Sequence, residues 1–343
     1  MDCHVRRYKP EDEEALFAFR KTIFPAGSKV LDSGYFRWKF LERPDTSGIP
    51  FFVLESHGRI VGTLGYWPFT LMIGDRPVTC GHLVDFNVDK AFRGLATLKL
   101  FRTVTTETEA NFGANISADA RRFFGAARWI DLSSRLKNHY MYVMPSKADN
   151  SMKLMKYHAG RSIARVCRWN IYRKNNISFS VRLFNGIPED MEQLLDGIHE
   201  RKKISFMKNY TYYSWRYGAP TCNKYNSISL LESGVPKAAI IFYMTPGSEL
   251  RQCTVMDIVC NSNDNLKMEL LLCELITYCD KQKNVELITA TSMPYLNSVF
   301  KACGFRTCTS TRGFIVNNKL LDALGDDALA DNLNFMLGDT DLI

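Results

Sequence analysis

Val84-Asp85-Phe86-Asn87-Val88-Asp89-Lys90-Ala91-Phe92-Arg93-Gly94-Leu95-Ala96-Thr97 reads as a strand that ends in an Arg-Gly turn and opens a helix. Its first part returns downstream as Met256-Asp257-Ile258-Val259-Cys260. Working outward, Leu54-Glu55-Ser56 returns as Leu231-Glu232-Ser233, and Tyr35-Phe36-Arg37-Trp38 returns as Tyr212-Tyr213-Ser214-Trp215. On the other side, Phe124-Gly125-Ala126-Ala127-Arg128-Trp129 matches Phe300-Lys301-Ala302-Cys303-Gly304-Phe305. Four echoes in one order mark a unit used twice. The chain therefore reads as two tandem α/β domains with mixed α+β sheets, residues 1–145 and 177–318. A basic linker, 146–176, joins them, and an acidic tail, 319–343, follows.

Each copy has the same element pattern. In the first, His4 to Tyr8 is a strand, and Pro10 with its acidic followers opens a helix to about Thr22, where carboxylates suit the helix dipole. A short helix at Tyr35 to Leu41 stops before Arg43-Pro44. Pro50 to Glu55, Ile60 to Ile73 and Val78 to Val88 are rich in β-branched and aromatic residues, and turns at His57-Gly58 and Gly74-Asp75 make them consecutive antiparallel strands. A helix is expected from Phe92 to Phe112, a strand at Ala114 to Ser117, a helix at Ala118 to Ala127 and a strand at Leu136 to Val143. The second copy repeats the course and ends in one strand from Thr307 to Val316.

Composition narrows the class. The 343 residues suffice for two domains with self-sufficient cores, and 46% hydrophobic with 23% charged residues is globular. No apolar run approaches the roughly 20 residues needed to span a bilayer. The first residues, Met1 to Tyr8, contain no apolar signal core, so a cytoplasmic location is expected. Ten cysteines are scattered without a Cys-x-x-Cys pair and read as reduced core residues, and six histidines lack ligand spacing, so no metal is expected. The net charge is +8, with a basic run from Lys153 through Arg161, Arg165 and Arg168 to Lys174. That run suits a solvated face, a phosphorylated cofactor or an acidic partner. No helix-turn-helix, zinc finger or aromatic-basic signature accompanies it, and nucleic acid is not the expected partner.

The Arg93-Gly94 turn carries the chemistry. Free backbone N–H groups at a helix start, aided by the dipole, form a site for phosphate or pyrophosphate. Gly94 and Ala96 keep the backbone accessible, and Arg93 adds positive charge. The corresponding turn of the second copy, Asn261-Ser262-Asn263-Asp264, has neither arginine nor glycine, and its carboxylate would repel a pyrophosphate.

The element order, with Arg-Gly after the fourth strand, resembles the GNAT acyltransferase superfamily, and each half resembles one GNAT domain. The resemblance implies that the first domain holds acetyl-CoA or another acyl-CoA through Phe86, Asn87 and Val88 on the fourth strand and Arg93, Gly94, Leu95, Ala96 and Thr97 at the turn. Ala96 and Leu98 stand where the family usually has glycines. The second domain is implied to be a degenerate half that helps shape an acceptor cleft.

Catalytic candidates lie on the same strand. The resemblance implies a general base on the fourth strand, which offers His82 and Asp85; an uninterrupted strand points them to opposite faces, and His82 shares parity with Phe86 and Val88. Asp85 recurs as Asp257 in the half without the phosphate turn, which favours a shared structural task. The family's usual acid is a tyrosine on the helix after the fifth strand, where this chain has Phe124 and Phe300. Tyr35, Trp38, Tyr66 and Trp67 are candidates for the acceptor side, though aromatic residues on such elements commonly pack the core. The expected function is transfer of acetyl to a primary amine of a small molecule, such as an amino sugar, or of a peptide. Two alternatives stay open: a silent tandem binding module, and an acyltransferase using another donor such as aminoacyl-tRNA.

Overall fold

The structure, a computed structural model, describes residues 3–44, 48–143, 151–175, 179–198, 204–218, 224–245, 251–261, 264–282, 284–324 and 333–336. β1 (His4–Arg7) leads through a 3-10 turn at Pro10–Asp12 to α1 (Glu13–Ile23). α2 (Ser33–Phe36) begins where the Asp32 carboxylate accepts from the Gly34 and Tyr35 amides, at 2.7 and 3.2 Å, and continues as a π-helical turn, Arg37–Leu41. β2 (Phe51–Ser56), β3 (Arg59–Ile73) and β4 (Arg76–Val88) are successive antiparallel strands. His57 and Gly58 between the first two both have positive φ, 49° and 74°, as a two-residue hairpin turn matched to strand twist requires.

α3 (Leu95–Thr105) is shorter than the expected Phe92–Phe112 helix, and β5 (Ala110–Ala114) begins where helix was expected. Threonine back-bonding accounts for the early stop. Thr103, Thr105 and Thr106 donate their hydroxyls to carbonyls three or four residues back, and the buried Asn111 amide donates to the Thr105 carbonyl at 3.0 Å. α4 (Ala118–Ala126), capped by Ser117 on the Ala120 amide, and β6 (Ile130–Asp131) follow.

The later elements are β7 (Lys137–Tyr142), α5 (Ser151–Asn175), β8 (Phe179–Asn185), α6 (Met191–Asp196), β9 (Ile204–Phe206), α7 (Tyr210–Gly218), β10 (Tyr225–Glu232), β11 (Val235–Met244), β12 (Arg251–Val259), α8 (Asn265–Lys281), β13 (Val285–Ser292), α9 (Asn297–Ala302), β14 (Arg306–Thr309), β15 (Phe314–Val316), α10 (Asn318–Leu324) and β16 (Leu333–Asn334). They fall into two compact units, Met1–Asp131 with Gly313–Asp326 and Leu132–Arg312 with Asp327–Ile343. The first unit carries the strand order β1-β2-β3-β4-β5-β15-β6; the second carries β14-β7-β13-β12-β11-β10-β8. β5 is parallel to β4 and β13 to β12, so the repeat seen in the sequence is a repeat of topology.

A division into contiguous halves at residue 145 does not describe these units. β7 lies between β13 and β14 of the second unit, and β15 lies between β5 and β6 of the first. Each copy gives its last strand to the other. The single strand expected over Thr307–Val316 is therefore two strands in different sheets. Gly313 stands at the break, where an added Cβ would lie 2.5 Å from the Ile116 side chain.

The first unit's core on the α3 side comprises Phe52, Leu54, Leu64, Leu83, Leu100, Phe101 and Phe124. In the second, α8 is nearly enveloped and packs against α5, β11 and α9. The segment expected as a linker is largely α5, a helix of that unit, with Arg161 paired to Asp280 and Arg168 to Glu274. In the expected acidic tail, Leu320 and Leu324 of α10 are buried, while 325–332 and 337–343 lie outside the described residues. No helix among the described residues is long and apolar enough to cross a membrane.

Candidate active site

β4 and β5 pair only from Cys80 opposite Ala110 to Leu83 opposite Gly113. Beyond that point, Val84–Val88 runs on with no ladder partner on the β5 side. A cleft of about 720 Å³ occupies this region of the first unit. Its wall includes Phe86, Asn87 and Val88 from β4, Arg93, Gly94 and Thr97 from the start of α3, and Phe123 from α4. Six of the eight residues expected to hold the acyl donor thus line one cavity. Leu95 and Ala96 do not: Leu95 is 86% exposed, and Ala96 packs against the α3-side core.

The turn suits an anion. Gly94 has φ 108° and ψ −124°, a conformation that a side chain would strain, and no atom lies within 4 Å of where its Cβ would be. Leu98 N–H bonds the Gly94 carbonyl, which leaves the preceding first-turn amides of α3 without a helical acceptor. Lys90 and Arg93 bring positive charge to the wall. The Thr97 hydroxyl is buried there without a hydrogen-bond partner among the described residues, which a phosphate oxygen would supply. Two carboxylates on the same wall oppose this charge: Asp89, which accepts from the Ala91 amide at 2.9 Å, and Asp119, whose carboxyl the Arg122 guanidinium holds below its usual range. Thr22, Ile23, Ser117, Asp119, Ala120 and Phe123 were not among the sequence candidates. Ser117 could have been found as the N-cap of α4, but only the fold brings the end of α1 to the cleft.

A β-bulge decides the fate of the catalytic candidates. Thr63 opposes Asn87 and Gly65 opposes Val84, so Asp85 and Phe86 together face Leu64. Asp85 has φ 54°, and the alternation of β4 resets there. Leu83, Phe86 and Val88 consequently share a face with Phe101 and Phe124. His82, expected to share parity with Phe86, lies on the other face, fully buried, its ring stacked on Phe112 at 4.7 Å and edge-on to Trp67 at 5.9 Å.

The Asp85 carboxylate is engaged by two buried cations, Lys39 Nζ at 2.6 Å and Arg20 at 2.8 Å, while the Thr63 hydroxyl donates to its carbonyl at 3.0 Å. Burial pulls the Arg20 pKa down and the Asp85 charge opposes that shift. The second copy repeats the device: Asp257, at a bulge of β12, receives Lys208 at 2.8 Å and the Tyr213 hydroxyl at 3.2 Å. The recurring aspartate ties the bulged strand to the helix-turn segments at its side.

Tyr35, Trp38, Tyr66 and Trp67 are all buried, and none lines the cleft. Trp38 meets Trp67 edge-on at 6.4 Å and Tyr35 at 5.5 Å, whereas Tyr66 belongs to the α3-side core. Phe124 is likewise core, 4.8 Å from the Trp129 ring and 5.4 Å from Phe101. Its neighbour Phe123 is the ring on the cleft wall.

The counterpart region of the second unit is small, about 70 Å³, and includes Lys208, Tyr213 and Asp257 on its wall. Asp264 caps α8 by accepting from the Lys267 amide at 3.1 Å and pairs with the Lys267 ammonium. A carboxylate already sits where an anion would dock. Ser262 and Asn263 of that turn lie outside the described residues.

No family model and no curated protein matches this sequence. Solved structures do match, and they show the fold. A GCN5-related N-acetyltransferase from Anabaena variabilis aligns over 98% of this chain and 82% of its own, with TM-score 0.60 and 12% identity. A probable N-acyltransferase from Enterococcus faecalis aligns over 91% and 72%, with TM-score 0.58 and 8% identity. Saccharomyces cerevisiae N-myristoyltransferase with bound myristoyl-CoA aligns over 92% and 82%, with TM-score 0.57 and 11% identity. The architecture is therefore the GNAT fold, extending over nearly the whole chain.

Proposed function

We propose that this chain is an N-acyltransferase that binds an acyl-CoA, acetyl-CoA in the first instance, in the cleft of its first unit and acylates a primary amine of a small molecule, such as an amino sugar, or of a peptide. The observation that supports this most is the opening beyond Leu83, walled by Arg93, Gly94 and Thr97. Bound there, the donor supplies an acyl carbonyl activated as a thioester. Arg93, Lys90 and the α3 amides balance its phosphates, and Thr97 donates its hydroxyl. The β4 backbone groups at Phe86–Val88 border the site where the carbonyl would develop negative charge. Catalysis then rests on holding two reactants together, an effect that can supply about 7–11 kcal/mol. No imidazole lines the described cleft, and its carboxylates Asp89 and Asp119 are held by the Ala91 amide and Arg122. The acceptor's proton accordingly passes to solvent.

A silent binding module is the second reading, favoured by one specific arrangement: His82, Asp85 and Phe124 all face away from solvent into packed surroundings. CoA-thiol release in the presence of a panel of amines separates the two. Binding with turnover supports the enzyme; binding with no turnover on any amine supports the module. An aminoacyl-tRNA donor predicts binding that collapses steeply with salt and needs no CoA.

A further inference from the structure

Three cysteines with no sequence spacing in common meet in the second unit. Cys167 comes from α5, Cys273 from α8, and Cys303 from the residue that ends α9, and their sulfurs all lie within 4.8 Å of one another. Cys273 and Cys303 are 3.9 Å apart. Glu269, one helical turn before Cys273 and thus on the same face of α8, brings a carboxylate oxygen to 3.9 Å from the Cys167 sulfur. The backbone permits this meeting because Gly160 of α5 abuts Gly304, where an added Cβ would lie 2.6 Å from the Gly160 carbonyl oxygen. The edge of the cluster is reachable: Cys167 is half-buried and, with Glu269 and Val166, lines a groove of about 550 Å³.

We propose that Cys167, Cys273, Cys303 and Glu269 form a tetrahedral zinc(II) site that clamps α5, α8 and α9 together. Zinc–sulfur bonds of about 2.3 Å place thiolates roughly 3.8 Å apart in a tetrahedron, so the three sulfurs close onto a metal with shifts of about 1 Å or less, while the Glu269 carboxylate, which lies beside Cys167 and outside the three-sulfur group, swings in as the fourth donor. Thiolates exclude calcium and magnesium, which require oxygen cages, and the carboxylate as fourth donor favours zinc over copper(I). On binding, three thiols release their protons to solvent, each sulfur and one carboxylate oxygen donates a lone pair, and the metal stays zinc(II). The complex carries excess negative charge at the half-buried edge of the cluster, where Cys167 and Glu269 line the groove. Spacing rules read from sequence find ligands held by one loop or one helix; these are gathered from three helices.

The test uses the full chain, reduced, exchanged through gel filtration and assayed for zinc, then reconstituted with cobalt(II). The expected result is one zinc per chain and a cobalt spectrum with thiolate-to-metal charge transfer and tetrahedral d–d bands. Cys167→Ser, at the half-buried position, lowers zinc affinity at least about 100-fold, and Glu269→Gln lowers it about 10- to 100-fold while keeping the charge-transfer band. Cys273 and Cys303 are left intact because both are buried in the core. Zinc retained equally by both variants, absence of retained zinc from the folded parent, or a Cys273–Cys303 disulfide in its place would each overturn the proposal.

Discussion

Asp85→Asn separates a structural aspartate from a catalytic one. In the parent, one carboxylate balances two cations whose side chains are 3% and 1% exposed, Arg20 and Lys39. The amide removes the carboxylate that both buried cations pair with, and breaking such a pair costs about 3–5 kcal/mol. For a unit of this size each kcal/mol moves the midpoint roughly 2–4 °C, so its unfolding should fall by roughly 6–20 °C. Trp38 and Trp67 lie beside this cluster, with Lys39 Nζ 6.0 Å from the Trp67 ring, and their fluorescence reports the first unit's transition. Adding Lys39→Met should recover part of the loss, because it removes one stranded charge. Asp257→Asn should destabilise the second unit in the same way through Lys208. Unchanged stability in Asp85→Asn together with lost turnover would refute this reasoning and make Asp85 the base.

Other predictions follow from the same packing. Phe124→Tyr should not create an acid: its para carbon lies 3.7 Å from where Gly113 would carry a Cβ, so the hydroxyl enters the β4–β5 core and costs about 1–3 kcal/mol, read by urea unfolding. His139, stacked on Phe300 and bonded to Thr307 and Ser292, has its pKa lowered by burial from 6.5 to about 4. Between those values the unfolded chain takes up a proton that the folded chain refuses, so about 3 kcal/mol of stability is lost as pH falls from 6.5 to 4, and His139→Asn should flatten that part of the profile. A fragment ending at residue 145 lacks β15 and leaves β5 unpaired on that side; its circular dichroism should show a poorly cooperative chain, and restoration by a peptide spanning 313–324 would support the exchange.

The repeat was legible because landmarks such as Leu54-Glu55-Ser56 and Leu231-Glu232-Ser233 mark the approach of a strand to a two-residue hairpin turn in each unit, though one residue out of register: the turn is His57-Gly58 in the first and Ser233-Gly234 in the second. The Arg93-Gly94 turn was legible as the strand-to-helix junction on the cleft wall because glycine at such a junction is a local signal. The bulge was not: nothing in Val84-Asp85-Phe86 announces φ 54° at Asp85, and one extra residue reverses where His82 points. The recurrence of that aspartate hinted at its role, but its partners Arg20 and Lys39 are 65 and 46 residues away. The exchange of β7 and β15 was hidden for a related reason. Alternation predicts that a segment is a strand and which face it buries, not which of two similar sheets receives it. The cysteine cluster depends on helix packing across more than a hundred residues, from Cys167 to Cys303.

The most direct test of the account is titration of the full chain with acetyl-CoA, and with myristoyl-CoA as a longer probe, beside a variant carrying Arg93→Glu and Gly94→Val. Valine cannot adopt φ 108° without strain, and glutamate reverses the charge at the turn. An acyl-CoA site at the Arg93-Gly94 turn predicts that the parent binds an acyl-CoA and that the variant, with its circular dichroism unchanged, binds at least about tenfold more weakly, a loss of about 1.4 kcal/mol or more. Equal affinity in the two proteins, or no binding of either thioester by the parent, would contradict it.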